Sequence, residues 1–354
     1  MLRAIAIVSV VVYHAGLFGF TVPLRVDRYG WIGVDLFFVL SGYLIGGQLL
    51  STVAAGKSIS FRKFYSRRAL RILPAYLIVV LAYALLPASA REYERMPPIW
   101  KFLSFTQNLG LRGGTAFSHA WSLCIEFQFY VALPLFLLSL TRRRRSRFLL
   151  VGLPVAILLW CVLVRAVMAH FIAVRYGAAF GPWQQLVYYP TYARLDGLTI
   201  GVSLAAIELF RPRWWEGLTR QAVWLWLPAV GALILAMVWA ENGLGIISSA
   251  LGFNLVAVAC GIFLICVLSP RLPFSRLAMP GAAFLATVAY SIYLTHKLAI
   301  HWIQKTAAER GWSPILAYVV AMSLVLFVGS ILFFSVERPF LRLREQFVKK
   351  KEPN

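Results

Sequence analysis

The sequence has few charged residues. Only 14% of its 354 residues are Asp, Glu, Lys or Arg, whereas a soluble globular domain carries about a quarter. Hydrophobic residues make up 60% of the chain, which is more apolar surface than a water-soluble fold of this length can bury. The composition therefore excludes an ordinary soluble protein and indicates an integral membrane protein.

Acidic residues are scarcer still. The chain has 13 Asp and Glu against 35 Lys and Arg, a formal net charge of +22. In a soluble protein this excess would indicate a nucleic-acid partner. Here the basic run Arg142–Arg145 lies between two apolar segments, where it is typical of a loop retained on the cytoplasmic side of a membrane. We therefore expect no nucleic-acid partner.

Cysteine is rare, and the four Cys residues all lie within apolar segments. This placement indicates buried thiols rather than disulfides. The sequence has no Cys, His and carboxylate spacing typical of a metal site and no glycine-rich phosphate loop. Gly42, Gly46 and Gly47 instead fit close helix packing. We expect no metal and no permanently bound cofactor.

Apolar windows long enough to cross a membrane, about 20 residues each, occur ten times. They cover residues 3–18, 29–50, 71–87, 119–140, 148–169, 183–208, 221–240, 246–268, 278–303 and 313–336. We predict an all-α, polytopic integral membrane protein with about ten transmembrane helices. The membrane domain covers residues 1–340, and residues 341–354 form a basic cytoplasmic tail.

The distribution of the basic residues predicts the orientation. With ten spans, both termini lie on one side of the membrane. Most Lys and Arg residues then fall in the segments on that side. Because basic loops stay in the cytoplasm, we expect both termini to be cytoplasmic.

Ionisable side chains in lipid are costly unless they are paired or hydrated, so each one within a span is a candidate functional residue. The predicted spans contain His14, Asp35, Glu126, Arg165, Arg194, Asp196, His296 and Lys297. In this topology His14, Asp35 and Glu126 reach similar depths in the outer half of the membrane. A histidine beside a carboxylate can act as a general base. We expect His14 to be that base, oriented by Asp35 or Glu126, with a structural hydrogen bond as the alternative.

Arginines cluster at the cytoplasmic face. Arg67, Arg68 and Arg71 lie where the third span begins, and Arg3 begins the first span. Arginine suits bidentate contacts to phosphate. The cluster therefore predicts a site for a phosphorylated cytoplasmic ligand, with topology charge alone as the alternative.

The remaining polar residues allow two interpretations. Arg194 and Asp196 fit an ion pair that stabilises the helices or a contact to substrate. His296 and Lys297 are adjacent and so lie on different faces of their helix. We interpret them as residues near a helix end, whose polar side-chain ends extend to the membrane surface.

Six phrases occur in order along the chain. They are Leu2–Ile7 with Tyr13–Ala15, Gly33–Tyr43, Arg67–Pro74, His119–Leu123 with Glu126, Tyr290–His296, and Glu337–Pro339. On a ten-span frame, this set resembles the membrane-bound acyltransferase 3 family. The spacing from Arg3 to His14 matches the family hallmark of an Arg and a His separated by ten residues.

The resemblance implies O-acylation of a hydroxyl on an extracytoplasmic or lipid-linked carbohydrate, such as exopolysaccharide or O-antigen. It also implies the bacterial inner membrane, acetyl-CoA or another acyl-CoA as donor substrate, and partners in glycan assembly. Carried over by position, His14 is the catalytic base, Asp35 and Glu126 are essential polar residues, and the four arginines handle the donor. We expect the acceptor to contact His119, Trp121, Arg194 and Asp196.

A transporter or flippase for a glycan or lipid-linked sugar is the main alternative, because charges inside a membrane also mark transport pathways. Transporters often contain inverted repeats with broken helices at matching positions, and the sequence has no such pairing. A sensor or assembly subunit without activity is a further alternative. Retention of Arg3, His14, Asp35 and Glu126 together favours an enzyme.

Overall fold

The computed structural model describes residues 1–20, 23–142, 146–241, 244–272 and 279–349. The chain is 82% helical, and its described ranges contain no strand. The predicted all-α class is therefore confirmed. Residues 143–145 of the predicted basic run and residues 350–354 of the predicted tail lie outside the described ranges.

The α-helices follow one another along the chain with short connections. In order they are α1 (Leu2–Leu17), α2 (Ile32–Ala54), α3 (Phe61–Leu85), α4 (Ile99–Leu103), α5 (Trp121–Arg142), α6 (Ser146–Tyr176), α7 (Phe180–Trp183), α8 (Asp196–Phe210), α9 (Pro212–Glu241), α10 (Ile246–Leu268), α11 (Ala282–Arg310), α12 (Pro314–Leu332) and α13 (Arg338–Lys349). Turns of 3₁₀-helix cover Pro23–Tyr29, Ala88–Ala90, Ser118–Ala120 and Thr191–Ala193, and π-helical turns cover Gln184–Tyr188 and Phe333–Glu337.

Eight helical segments of the described chain are long and apolar enough to cross a membrane. They contain α2, α3, α5, α6, α9, α10, α11 and α12. Large apolar side chains point outward from these helices: Leu159 of α6 is 63% exposed and Trp224 of α9 is 72% exposed. Such outward apolar faces suit contact with lipid. The chain is thus a multi-pass membrane protein.

The other two predicted windows form shorter helices. α1 has 16 residues, or about 24 Å of helix, which is less than the roughly 30 Å of a hydrocarbon core. The window 183–208 is interrupted, and its regular helix α8 begins only at Asp196. Pro190 explains the interruption, because proline lacks a backbone N–H and disfavours helical geometry in the residue before it.

α8 packs along α2 with their backbones in direct contact. A Cβ atom on Gly42 would lie 2.2 Å from the carbonyl oxygen of Leu198, and one on Gly201 would lie 2.2 Å from that of Val39. Only glycine permits this approach of two helices. The predicted packing role of Gly42 is confirmed.

α1 packs against both α2 and α11. Its buried residues are Ala4, Ala6, Ile7, Val10, Val11 and Ala15. The small alanines allow the neighbouring helices to approach closely. The two polar residues of α1 that drew attention in the sequence, Arg3 and His14, are therefore held near its two ends, each partly buried.

Candidate active site

Three histidines from distant parts of the chain meet at one end of α1. His14 lies in the last turn of α1, His119 in the 3₁₀ turn before α5, and His296 in the middle of α11. The ring centres of His14 and His296 are 4.8 Å apart, and those of His119 and His296 are 4.9 Å apart. His14 Nδ1 lies 3.1 Å from His296 Nε2. The three rings form one cluster.

Backbone carbonyls determine which ring nitrogens carry protons. His296 Nδ1 lies 2.8 Å from the Tyr293 carbonyl and 3.2 Å from that of Ile292, so this nitrogen is the donor and Nε2 of the same ring is an acceptor. His14 Nδ1 lies between that acceptor and the Val10 carbonyl, 2.9 Å away, and it too must donate. His14 Nε2 keeps its lone pair and has no partner among the described residues. A neutral imidazole in this form can take up a proton.

Lys297 is buried beside the histidine cluster. Its Nζ donates to Ser118 Oγ at 3.1 Å and lies 3.8 Å from Glu92 Oε1. The interpretation of His296 and Lys297 as helix-end residues is wrong, because α11 continues to Arg310. Their exposed fractions are 0% and 4%. Both residues belong to the candidate site.

The histidine cluster faces a cavity of about 910 Å³, the histidine cavity. His14, His119 and Lys297 form its inner wall, together with Trp121 and Tyr293. His119 and Trp121, two of the predicted acceptor contacts, therefore line the same space as His14. The cavity is large enough for a ligand of several rings.

The other two predicted acceptor contacts, Arg194 and Asp196, lie in a pair of buried ion pairs. Arg194 Nη2 is 2.8 Å from Asp35 Oδ1, and Arg165 Nη1 is 2.7 Å from Asp196 Oδ2. All four side chains are at most 2% exposed. The Arg194 guanidinium also lies 3.8 Å from the ring centre of Phe253. Arg194 thus pairs with Asp35 rather than with its sequence neighbour Asp196.

Neither carboxylate predicted to orient His14 forms a hydrogen bond with it. Asp35 is paired with Arg194 as described, and Glu126 accepts hydrogen bonds from Tyr130 Oη at 2.7 Å and Ser41 Oγ at 3.1 Å. His296 occupies the position beside His14 that was predicted for a carboxylate. The orientation of the base therefore depends on a second imidazole and on the backbone.

Glu126 instead faces a second cavity of about 330 Å³, the arginine cavity, at the opposite end of α1. Its lining arginines are Arg3, Arg68, Arg71 and Arg344. Three of the four predicted arginines are therefore brought together. The fourth, Arg67, does not line this cavity. Arg344 of α13 does line it and was not predicted from the sequence.

The arginine cavity holds more positive than negative charge. Arg71 lies 3.8 Å from Glu337, whose second oxygen accepts from Ser291 Oγ at 2.8 Å. Arg68 Nε is buried without a hydrogen-bond partner in the described chain. A buried donor without a partner is unfavourable unless a ligand satisfies it. The cavity is thus suited to an anion.

Tyr293 is, within the described ranges, the one residue that lines both cavities. Ser122 Oγ donates to the Tyr293 hydroxyl at 2.7 Å, and that hydroxyl donates to the His119 carbonyl. These two hydrogen bonds hold the ring where it faces both cavities. Arg3 and His14, on either side, are eleven residues or about 16 Å apart along α1.

A protein-family model described as an acyltransferase domain matches residues 1–334. The chain belongs to the acyltransferase 3 family. The resemblance seen in the six sequence phrases is therefore confirmed, and it extends over nearly the whole chain.

Within the acyltransferase 3 family, the chain is similar to the O-acetyltransferase OatA of Staphylococcus aureus strain NCTC 8325 / PS 47, with 26% identity over 366 residues. It is equally similar to OatA of S. aureus strain COL. Each alignment covers 96% of this chain and 56% of the relative, so the chain spans about half the length of these curated relatives. No solved structure matches the chain.

Tyr293 and His296 fall within one of the acyltransferase 3 phrases, Tyr290–His296. In the sequence, Tyr293 was given no role of its own and His296 was interpreted as a helix-end residue. Their spacing was a usable signal, because residues three apart on a helix lie on the same face. That face of α11 is the one that contacts both His14 and His119.

Proposed function

We propose that the protein is a membrane O-acyltransferase that moves an acyl group, in the simplest case acetyl, from acyl-CoA to a hydroxyl of a carbohydrate. The observation that carries this proposal is the arrangement of two cavities, one at each end of α1, that share Tyr293 as a lining residue. One cavity offers arginines and the other offers an unprotonated imidazole nitrogen. The relatives named O-acetyltransferase support the same chemistry.

The arginine cavity would hold the phosphates of acyl-CoA. Arginine forms bidentate, charge-assisted hydrogen bonds to phosphate, and Arg3, Arg68, Arg71 and Arg344 face one space. The thioester arm of CoA is long and narrow, and it would extend along α1 towards His14. Tyr293 would have to turn aside to let the thioester reach the histidine cavity.

Replacement of Arg68 is expected to weaken donor binding. In Arg68→Met the apolar part of the side chain remains while the unpartnered Nε–H and the charge are lost. We expect the Kd for acetyl-CoA to rise by at least about tenfold, which corresponds to the loss of one charge-assisted hydrogen bond. Equilibrium binding of labelled acetyl-CoA to the purified protein measures this.

Arg67→Met is the matched control, because Arg67 is in the same turn of α3 and is not among the lining residues of the arginine cavity. Its Kd for acetyl-CoA should stay close to that of the unaltered protein. Equal losses of affinity in the two variants would show that the segment acts through its total charge, and the donor site would then be rejected.

His14 and the acceptor would perform the transfer. The acceptor hydroxyl oxygen attacks the thioester carbonyl carbon while His14 Nε2 takes the hydroxyl proton. The C–S bond then breaks, the acyl group stays on the acceptor oxygen, and the CoA sulfur leaves and receives the proton. His296 Nε2 accepts the hydrogen bond from His14 Nδ1 and so keeps Nε2 of His14 available as the base.

The proposal includes an orientation in the bacterial inner membrane with both termini in the cytoplasm. The arginine cavity, at the start of α1, would then open towards the cytoplasm, where acyl-CoA is made. The histidine cavity would open towards the outer face, where an extracytoplasmic or lipid-linked glycan is available, together with its assembly proteins. The excess of basic residues in the segments on the side of the termini supports this orientation.

Deletion of the gene in the source organism tests the proposed function. Mass spectrometry of surface glycans and lipids should show loss of one acyl group from a defined hydroxyl, and a plasmid copy should restore it. The mass lost identifies the acyl group, and its position identifies the acceptor. Unchanged acylation together with less surface glycan would contradict the enzyme and favour a transporter.

A further inference from the structure

A third cavity adjoins the histidine cavity at the same end of the protein. It has a volume of about 290 Å³ and lies among the end of α9, the start of α10 and the segment around α7. About half of its lining residues are aromatic, and we call it the aromatic cavity. Neither the family match nor the acyl-transfer chemistry assigns it a role.

The aromatic cavity and the histidine cavity share five lining residues. These are Tyr13, Trp31, Phe180, Gln184 and Tyr188. Tyr13 directly precedes the proposed base, and its ring centre is 5.2 Å from that of His14. A ligand that reaches from one cavity into the other would therefore pass next to His14.

Three of the shared residues have polar groups without a protein partner. The hydroxyls of Tyr13 and Tyr188 and the side-chain amide of Gln184 make no hydrogen bond with any part of the chain that the structure describes. These three side chains are partly exposed, so their polar groups can exchange a water for a ligand. The boundary between the two cavities therefore offers donors and acceptors to a polar ligand.

The aromatic cavity also has an aromatic ring from α9 available for contact. Trp239 of α9 lines the cavity, and its indole has neither a ring partner nor a hydrogen bond among the described residues. Glu241, two residues later, accepts a hydrogen bond from the Tyr29 hydroxyl and lies 3.7 Å from Arg28. Aromatic faces therefore lie beside a charged rim.

A sugar ring matches this combination of groups. A pyranose has faces of C–H groups that pack on aromatic rings and an edge of hydroxyls that exchange hydrogen bonds with amides, phenols and carboxylates. We propose that the aromatic cavity binds a further sugar unit of the acceptor, so that the protein selects glycans of at least two linked sugars over monosaccharides. This inference rests on the proposed carbohydrate acceptor.

The polar groups favour a sugar over the hydrocarbon chain of a lipid in this cavity. A hydrocarbon chain would displace water from Tyr13, Gln184 and Tyr188 without replacing its hydrogen bonds, at a cost for each group covered. It would also lie against the ion pair of Arg28 and Glu241 at the rim. A sugar unit satisfies the same groups.

The test measures binding and transfer separately. The acceptors are fluorescently labelled monosaccharides, disaccharides and longer fragments, prepared by partial hydrolysis of the surface glycan of cells that lack the protein. Equilibrium binding is measured on the full chain in lipid nanodiscs without donor, and transfer is measured as release of CoA thiol from acetyl-CoA. The variants are Trp239→Ala, Trp239→Phe and, as matched control, Trp224→Ala on the outward face of the same helix.

For Trp239→Ala we expect the Kd and KM of disaccharides and longer fragments to rise about tenfold, the effect of losing one aromatic contact to the sugar. The kcat value and the binding of monosaccharides should not change. The lost contact is remote from the reacting atoms, so it stabilises the bound acceptor and the transition state equally. Trp239→Phe should restore part of the affinity, and Trp224→Ala should behave like the unaltered protein.

Three results would overturn the inference. They are equal affinities of the unaltered protein for monosaccharides and longer fragments, equal effects of Trp239→Ala on both, and equal effects of Trp239→Ala and Trp224→Ala. Length-dependent binding that Trp239→Ala weakens, without any CoA release, would support the sugar subsite and reject the acyltransferase. CoA release that responds equally to glycans of every length would support the acyltransferase and reject the sugar subsite.

Discussion

A His14→Ala variant is expected to lose acyl transfer by about 10²- to 10⁴-fold, the range that a positioned general base contributes. His14 Nε2 is the ring nitrogen left unprotonated beside the histidine cavity, because Nδ1 is committed to the Val10 carbonyl and to His296. The measurement is the glycan-dependent release of CoA thiol by equal amounts of protein in vesicles. Donor affinity should be unchanged, since the arginine cavity is at the other end of α1.

His170→Ala is the control for this experiment. His170 lies on α6 and is exposed on the outside of the described structure, so its removal should leave the rate unaltered. Full activity of His14→Ala at normal protein levels would reject the assignment of the base. Loss of acetyl-CoA binding along with activity would indicate instead that His14 holds the end of α1 in place.

The second large effect concerns stability. Asp196→Ala leaves the Arg165 guanidinium, which is 0% exposed, without its counter-charge. Loss of one partner from a buried ion pair costs about 3–5 kcal/mol. We expect the melting temperature of the detergent-solubilised protein to fall by on the order of 10 °C. Light scattering or intrinsic fluorescence during heating measures the change.

Two further variants test whether the loss of stability in Asp196→Ala comes from the unpaired buried charge or from the substitution itself. Glu309→Ala removes an exposed carboxylate at the end of α11 and should leave the melting temperature within about 1 °C, because exposed charges contribute little. The double variant Arg165→Met with Asp196→Leu removes both charges and should recover part of the loss. A melting temperature for Asp196→Ala equal to that of Glu309→Ala would contradict the structural role of this pair.

The sequence predicted the features that depend on local pattern. The helical class follows from the apolar windows, and the family follows from short phrases such as the Arg3 to His14 spacing. The eight long helices also lie where apolar windows were expected. These features need only composition and the order of residues along a single helix, so no knowledge of distant contacts is required.

Partnerships between distant residues could not be predicted. Asp35 pairs with Arg194 across 159 positions of sequence, and His14 meets His296 across 282. Nothing in either local segment specifies these partners. For His296, a predicted helix end at residue 303 instead of Arg310 also made a mid-helix residue look like a terminal one.

Depth along a helix was predicted less well than the helix itself. Glu126 was expected near His14, although it follows His119 by seven residues, about 10 Å along the helix axis. That distance moves it past Ser122 and into the arginine cavity. A carboxylate chosen for its predicted depth therefore lies in the arginine cavity, where it faces arginines rather than His14.

The position of Tyr293, which lines both cavities, bears on how the membrane stays impermeable to protons. If the two cavities open to opposite faces of the membrane, an unbroken water path between them would conduct protons and dissipate the electrochemical gradient. The Tyr293 ring, with its hydrogen bonds to Ser122 and the His119 backbone, lines both cavities and would stand in such a path. During transfer the donor's own arm would fill the gap that the ring vacates. The bilayer would then stay sealed to ions throughout, and only the acyl group would cross.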